Sequence, residues 1–231
     1  MNLQRGDGRV VGILLLLQMA AGLITPFVLI DALVKGYPAF LDTASAGSGR
    51  IRIAIALAFI GLGLTIALGV WMYPVLKPYS RRAALWFLAV CVLSAAVDAV
   101  HNGTVMSMLT VGERFAGAGG ADAELYQAWG AVAASMRRSA HIVQLFAIGA
   151  WMATFYVCLW RLRLVPGALS TLGLVGVASQ FTGVTVMMFL GFSPVGYLAM
   201  PLAPIHAATA IWLIVKGFRK TNEMELSPVS A

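Results

Sequence analysis

Charged residues are scarce in this sequence. Asp, Glu, Lys and Arg together make up 11% of the 231 residues, whereas hydrophobic residues make up 60%. Soluble domains carry about 25% charged residues, and so few polar side chains cannot cover a surface that faces water. Several apolar runs also reach the roughly 20 residues that a helix needs to span about 30 Å of hydrocarbon. The sequence therefore predicts an integral membrane protein whose surroundings are a lipid bilayer.

Other absences narrow the class further. The apolar runs do not alternate polar and apolar residues as the strands of membrane β-barrels do, so the predicted fold is all-α. Cysteine is rare, and Cys91 and Cys158 both lie inside apolar runs, which favours packing over a disulfide framework. The net charge of +7 does not indicate a nucleic-acid partner, because Lys and Arg form short clusters between the apolar runs, the pattern that fixes orientation in a membrane.

Six apolar runs predict a polytopic transmembrane helical bundle of about six helices. Their predicted bounds are residues 10–34, 53–76, 83–105, 139–160, 168–189 and 201–215. Residues 112–138 are expected to form an extracytoplasmic link, in which an interfacial helix would place Tyr126 and Trp129 at headgroup level. Residues 1–231 then form a single membrane-embedded domain.

The distribution of basic residues predicts the orientation. Six spans put both termini on the same side of the membrane. That side holds ten of the sixteen Lys and Arg residues, namely Arg5, Arg9, Lys77, Arg81, Arg82, Arg161, Arg163, Lys216, Arg219 and Lys220. Because Lys and Arg concentrate in cytoplasmic segments, both termini are predicted to lie in the cytoplasm, the N-in/C-in arrangement.

Four segments of the chain carry a family resemblance. They are RVVGILLLLQMAAGL near the N-terminus, YPVLKPYSRRAALW, HIVQLFAIGAWMATFYVCLWRLRLVPGALSTLGLVGV and the closing IWLIVKGFRK. Through them nearly the whole chain resembles the bacterial membrane family called domain of unknown function 4386. The resemblance implies a multi-pass, six-helix protein of the bacterial cytoplasmic membrane. It implies no activity and therefore no catalytic residues.

Ionisable residues inside the predicted helices are the main functional signal, since such residues are costly in hydrocarbon and usually face the protein interior, a partner or a cavity. At a helix rise of about 1.5 Å per residue, His101 lies about 28 Å from Arg82 and His141 lies about 30 Å from Arg161. The two histidines should therefore lie at the same depth on consecutive antiparallel helices.

Polar residues accompany these histidines at helical spacing. Asp98 precedes His101 by three residues and Gln144 follows His141 by three, so each pair shares a helix face. The sequence predicts that Asp98, His101 and His141 surround one cavity that opens toward the extracytoplasmic side. The further ligand-binding residues predicted around it are Asn102, Arg137, Gln144, Gln180 and His206, with His206 forming a deeper wall.

Three interpretations of this set stay open. Polar groups in membrane proteins often only hydrogen-bond across helices, which contributes about 0.6 kcal/mol each. A second interpretation is a pocket that binds or moves a small or lipophilic ligand. A third is a membrane-embedded enzyme acting on a lipid or isoprenoid-like substrate, with Asp98, His101 and His141 as catalytic groups in acid–base chemistry.

Metal-assisted or haem-assisted chemistry is the further variant of the enzymatic interpretation. His101, His141 and His206 are the candidate ligands for a divalent metal or haem, because histidine is the commonest metal ligand. No HExxH, CxxC or CxxCH motif occurs in the sequence, so no cofactor is the default expectation. The sequence fixes neither the ligand nor whether the protein is an enzyme, and it leaves a homo-oligomer open.

Two prolines bear on His206. A helix that began before Pro204 would leave backbone acceptors near His206 without partners, and such groups are tolerated where they line a cavity. A helix that began at Pro201 or later would merely hold both prolines at its start. The helix start therefore decides whether the prolines support a site.

Overall fold

The computed structural model describes residues 3–30, 37–119, 121–191 and 195–219, which are almost entirely helical and contain no strand. The helices are α1 (Leu3–Ile24), α2 (Ala39–Thr43), α3 (Ser48–Leu76), α4 (Arg81–Ala116), α5 (Ala121–Arg161), α6 (Gly167–Leu190), α7 (Val195–Ala199) and α8 (Leu202–Lys216), and a π-helical turn at Thr25–Leu29 follows α1. Six helical stretches are long and apolar enough to cross a membrane. The predicted all-α transmembrane class is confirmed.

The region predicted as a link differs from the expectation. Most of residues 112–138 are helical, because α4 continues to Ala116 and α5 begins at Ala121. Alanine, the best helix former, recurs through residues 128–134, and the glycine-rich stretch at 116–120 confines the break to a few residues. The proposed interfacial helix is thus the first part of a continuous helix of 41 residues.

Most other observed bounds lie close to the predicted ones, but α1 begins at Leu3, seven residues before the predicted residue 10. Helix α3 begins at Ser48, earlier than the predicted residue 53, while α6 and α8 each begin and end within one residue of their predicted limits. The predicted end of the first span, together with Asp31, falls in residues 31–36, outside the described part of the chain.

The chain forms two compact units. Of the described residues, unit 1 comprises 3–16, 67–90, 149–191 and 195–219, and unit 2 comprises 17–30, 37–66, 91–119 and 121–148. In unit 1 an aromatic core includes the fully buried Phe87 and Phe155, whose ring centroids lie 6.1 Å apart. Helix α1 comes close to α8 at Gly12, where a Cβ would lie 2.6 Å from the Ala210 carbonyl oxygen. Glycine there lets the two backbones approach, as small residues do in membrane helices.

Unit 2 has its own apolar core. The side chains that form it include Phe40, Leu41, Ile51, Val105 and Met108, all almost completely buried. Close to this core, α3 and α4 are also joined by an ion pair between Arg52 and Glu113, with a nitrogen–oxygen distance of 2.9 Å. This unit holds the parts of α4 and α5 in which the sequence predicts a site.

Candidate functional site

A chain of hydrogen bonds joins α4 to α5 in unit 2. The amide nitrogen of Gln144 donates to Oδ1 of Asp98, and Nδ1 of His141 lies 3.0 Å from Oε1 of Gln144. The amide of Gln144 thus has its nitrogen toward Asp98 and its oxygen toward the imidazole. Since an amide oxygen can only accept, Nδ1 of His141 is the donor in this arrangement, and Nε2 of the neutral ring is left as an acceptor.

His101 packs against this chain without joining it. Its ring centroid lies 5.2 Å from that of His141, with the planes tilted by 39°. The side chain is only 6% exposed, and neither ring nitrogen has a hydrogen-bond partner among the described residues. Buried polar groups are normally paired, so two unpaired nitrogens on one ring mark this position as unusual.

Arg137 completes a set that we call the polar cluster, which consists of Asp98, His101, Arg137, His141 and Gln144. The guanidinium group of Arg137 is close enough to both histidines to interact with them electrostatically. Its Nε is buried and has no hydrogen-bond partner in the described part of the chain. The structure thus brings together five of the eight predicted site residues.

Asn102 also lies in unit 2, next to the polar cluster in sequence. It is 4% exposed, and its Nδ2 has no partner within the described ranges. Neighbouring residues on a helix point about 100° apart, so Asn102 and His101 leave α4 on different sides. Asn102 is thus another buried donor without a partner among the described residues, and we do not include it in the polar cluster.

A groove of about 780 Å³ runs along α4 and α5 in the same unit. Its lining is largely apolar and includes Met106, Trp129 and Met136, with Arg114 also on its wall. A second groove of about 470 Å³ also contains Thr104 and Met136, so the two grooves are neighbours. Volumes of about 300–1,000 Å³ are usual for small-molecule sites.

The grooves and the polar cluster share helices but not lining residues. Among the described residues, no member of the cluster lines either groove. Their closest link is Thr104, which lines both grooves and whose hydroxyl donates to the backbone carbonyl of His101 at 2.6 Å. A single cavity around Asp98, His101 and His141 stays a prediction.

His206 and Gln180 belong to unit 1 and have surroundings of their own. Both are buried, and His206 is 1% exposed. Nδ1 of His206 lies 3.1 Å from the hydroxyl of Tyr156, and its ring meets those of Trp151 and Tyr156 edge-on at 5.8 and 6.0 Å. The role of His206 as a deeper wall of the predicted cavity remains a prediction.

Sequence reasoning did not identify the residues around His206. Trp151, Phe155 and Tyr156 read as ordinary apolar positions of a membrane span. One signal was present, because a buried tyrosine hydroxyl usually needs a hydrogen-bond partner, and Tyr156 is fully buried. His206 supplies that partner, which gives a structural reason for a histidine at this position.

The helix start removes the support that the prolines could have given to a site. Helix α8 begins at Leu202, so Pro201 is its N-cap and Pro204 lies in its first turn. The first-turn N–H groups of any helix have no partner inside the helix, and proline costs little there. Of the two cases that the sequence left open, the structure shows the one in which the prolines only occupy the helix start and give no support to a site at His206.

The metal-binding prediction concerns His101, His141 and His206. Within the described ranges no group of three or more His, Cys, Asp or Glu side chains is placed to hold a metal ion. The rings of His101 and His141 are adjacent in unit 2, and His206 belongs to unit 1. Metal or haem binding by these histidines stays a prediction.

Comparisons with known proteins place the chain by family alone. Neither the curated proteins nor the solved structures contain a match to it. The family model for a domain of unknown function, DUF4386, matches residues 10–217. That stretch covers almost the whole of the chain and includes every residue of the polar cluster. The chain therefore belongs to the DUF4386 family.

Proposed function

We propose that this membrane protein binds a small or lipophilic ligand at the polar cluster. The observation that carries the proposal is His101, a side chain 6% exposed whose two ring nitrogens lack partners among the described residues. An unpaired buried polar group costs about 1–3 kcal/mol, and a bound ligand would remove that cost. The groove of about 780 Å³ on the same two helices supports a ligand with an apolar part.

The first experiment replaces the imidazole of His101 by an apolar ring of similar size. In His101→Phe both nitrogens are lost, so the folded protein without ligand should be as stable as the wild type or more stable. Leu93→Phe is the matched control, because it introduces the same ring on the same helix at a position that is 60% exposed and lines neither groove. Small molecules retained by each purified protein are extracted and identified by mass spectrometry.

We expect a compound that is retained by the wild type and by Leu93→Phe and is lost from His101→Phe. The melting temperature of each variant shows whether it is folded. If all three proteins retain the same compounds, or if none retains any, the proposed binding role is wrong.

A membrane-embedded enzyme is the second candidate, and one observation favours it. The hydrogen bonds from Asp98 through Gln144 hold His141 with its proton on Nδ1, so Nε2 can accept a proton from a substrate. Such positioning of a histidine by a carboxylate is characteristic of general acid–base catalysis. Asp98 would orient His141 through the amide, and the substrate would be lipid-like or isoprenoid-like.

Substitution of Asp98 separates the two candidates. Asp98→Asn keeps the shape of the side chain and removes its charge. In an enzyme the compound retained by the wild type would be converted, and conversion would fall in Asp98→Asn while binding persists. In a binding protein the compound would be recovered unchanged, and Asp98→Asn would alter only its affinity.

The cellular placement forms part of the same proposal. We propose that the protein lies in a bacterial cytoplasmic membrane with both termini inside, since basic residues concentrate on the side of the termini. The polar cluster would then be nearer the extracytoplasmic surface. A ligand could reach it from that side or from the outer leaflet.

A further inference from the structure

The polar cluster has more groups that attract a negative charge than groups that carry one. Arg137 carries a positive charge and lies close to both histidines. The only carboxylate of the cluster is Asp98, and it already accepts a hydrogen bond from Gln144. The fully buried groups of the cluster that have no hydrogen-bond partner are Nε of Arg137 and both ring nitrogens of His101, in the part of the chain that the structure describes.

Other acids on these two helices are too far away or already paired. In α4 the other acidic residue is Glu113, which forms an ion pair with Arg52. In α5 the acidic residues are Asp122 and Glu124, both in its first turn. Glu124 lies about 20 Å from Arg137 along the helix axis, which leaves the positive charge of Arg137 without a neutralising acid on its own helix.

The order of the groups along the helices gives the cluster a direction. Asp98 and Gln144 lie one turn on one side of the two histidines, and Arg137 lies one turn on the other side. The Asp98 end is thus filled by hydrogen bonds within the protein, whereas the Arg137 end has a cation and unpaired N–H groups. A ligand that meets the Arg137 end encounters donors and positive charge.

We infer that the group recognised by the polar cluster is an anion, a carboxylate or a phosphate, held by Arg137 and His101. This inference rests on the proposed function and names the class of its ligand. Arginine suits such a role because its planar guanidinium group matches the oxygens of both anions. Placed there, the anion would accept from Nε of Arg137 and from one N–H of His101, which satisfies groups that otherwise stay buried without partners.

The test uses probes that share one tail and differ in the head group. The full-length protein is placed in nanodiscs of phosphatidylcholine, and the dissociation constants of decanoate, decyl phosphate, decanol and decylammonium are measured by calorimetry. Acetate and inorganic phosphate serve as the same anions without a tail. Arg137→Gln removes the charge at the cluster, and the matched control is Arg138→Gln at the adjacent exposed position.

We expect decanoate or decyl phosphate to bind the wild type and Arg138→Gln with affinities within about twofold of each other. Arg137→Gln should weaken that binding by about tenfold or more, since the loss of a hydrogen bond to a charged group typically reduces affinity by about that factor. Arg137→Lys keeps the charge and should lie between the two. The melting temperature of Arg137→Gln shows whether the loss of binding in this variant reflects a loss of folding.

Each remaining outcome also decides the inference. Equal binding of the tailed and tailless anions would identify a free anion as the ligand, and tighter binding of the tailed ones would identify a lipid head group.

Binding of decylammonium or decanol that is lost in His101→Phe, without binding of the anions, would overturn the anionic class while the proposed site stands. Binding of anions that is unchanged in Arg137→Gln would also overturn it. Absence of binding by every probe, with no compound retained on purification, would remove the proposed function as well.

Discussion

At the scale of single residues, Gly173 is a position in unit 1 that has no room for an added methyl group. A Cβ at Gly173 would overlap the Cγ, Cδ1 and Cε1 atoms of the Tyr156 ring. Tyr156 is fully buried and hydrogen-bonded to His206, so its ring cannot move aside without losing that bond. We expect Gly173→Ala to lower the free energy of unfolding by about 1–3 kcal/mol, measured by thermal unfolding in detergent.

The control for this substitution is Gly63→Ala. Gly63 is an exposed glycine within α3, and a Cβ there would meet nothing within 4 Å. Alanine is favoured over glycine in a helix by about 1 kcal/mol, so the control should be unchanged or slightly more stable. Equal melting temperatures for the two variants would show that the Tyr156 ring is not held against α6.

The sequence reveals some features of the candidate site and conceals others. Matched depth on antiparallel helices predicted that His101 and His141 lie at one level, and the structure places their rings in contact. Depth does not show which side chains bond, because rotamers and crossing positions are decided by tertiary packing. For that reason the sequence could not show that Gln144 links Asp98 to His141, or that His206 pairs with Tyr156.

At the scale of elements, the ion pair between Arg52 of α3 and Glu113 of α4 is open to solvent. Its side chains are 65% and 32% exposed, and water screens such a pair, so its contribution is about 0–1 kcal/mol. We expect Glu113→Gln to lower the free energy of unfolding by less than about 1 kcal/mol, and added salt to reduce the difference. Unfolding by increasing amounts of dodecyl sulfate in mixed micelles measures both effects.

Glu124→Gln is the matched control, since Glu124 is an exposed acid in the first turn of α5. It should unfold as the wild type does. A failure of Glu113→Gln to accumulate in the membrane, with normal accumulation of the control, would show that the ends of α3 and α4 depend on the ion pair.

The elements also show why spans are easier to predict than helix ends. Each span is recognised because a helix that crosses the hydrocarbon must be apolar, and this requirement applies to a run of about 20 residues. A helix can continue beyond its most apolar stretch where its residues favour helix, as α5 does through the alanines of residues 128–134. The structure has six helices that are long and apolar enough to span a membrane, and α4 and α5 extend beyond the bounds predicted for the third and fourth spans.

At the scale of the whole molecule, composition predicts that the protein lies in a lipid bilayer and says little about its chemistry. A protein with 11% charged residues and six apolar helices needs a bilayer, or a detergent that replaces it, around its helices. The same bilayer makes each retained charge informative, because Asp98 and Arg137 would be costly there without a partner or a ligand. Any chemistry of this chain is therefore expected at the few charged residues within its apolar helices. Membership of a domain of unknown function does not say what these residues do.

Orientation is the property of the whole molecule that the distribution of charge predicts. With an even number of spans, both termini share one side, and the basic residues near Arg81, Arg161 and Lys216 lie on that side as well. Because positively charged segments are retained in the cytoplasm, alkaline phosphatase should be active when inserted in the turn at residues 44–47 or 117–119 and inactive when fused after residue 219. Green fluorescent protein at the same positions should give the opposite pattern.

Removal of charge in the double variant Arg81→Gln and Arg82→Gln should weaken the asymmetry and produce a mixed population, whereas Arg50→Gln, on the other side, should not. Activity of the phosphatase at all three positions would contradict six spans, and inverted activity would place the polar cluster nearer the cytoplasm, so that its ligand would have to come from inside the cell.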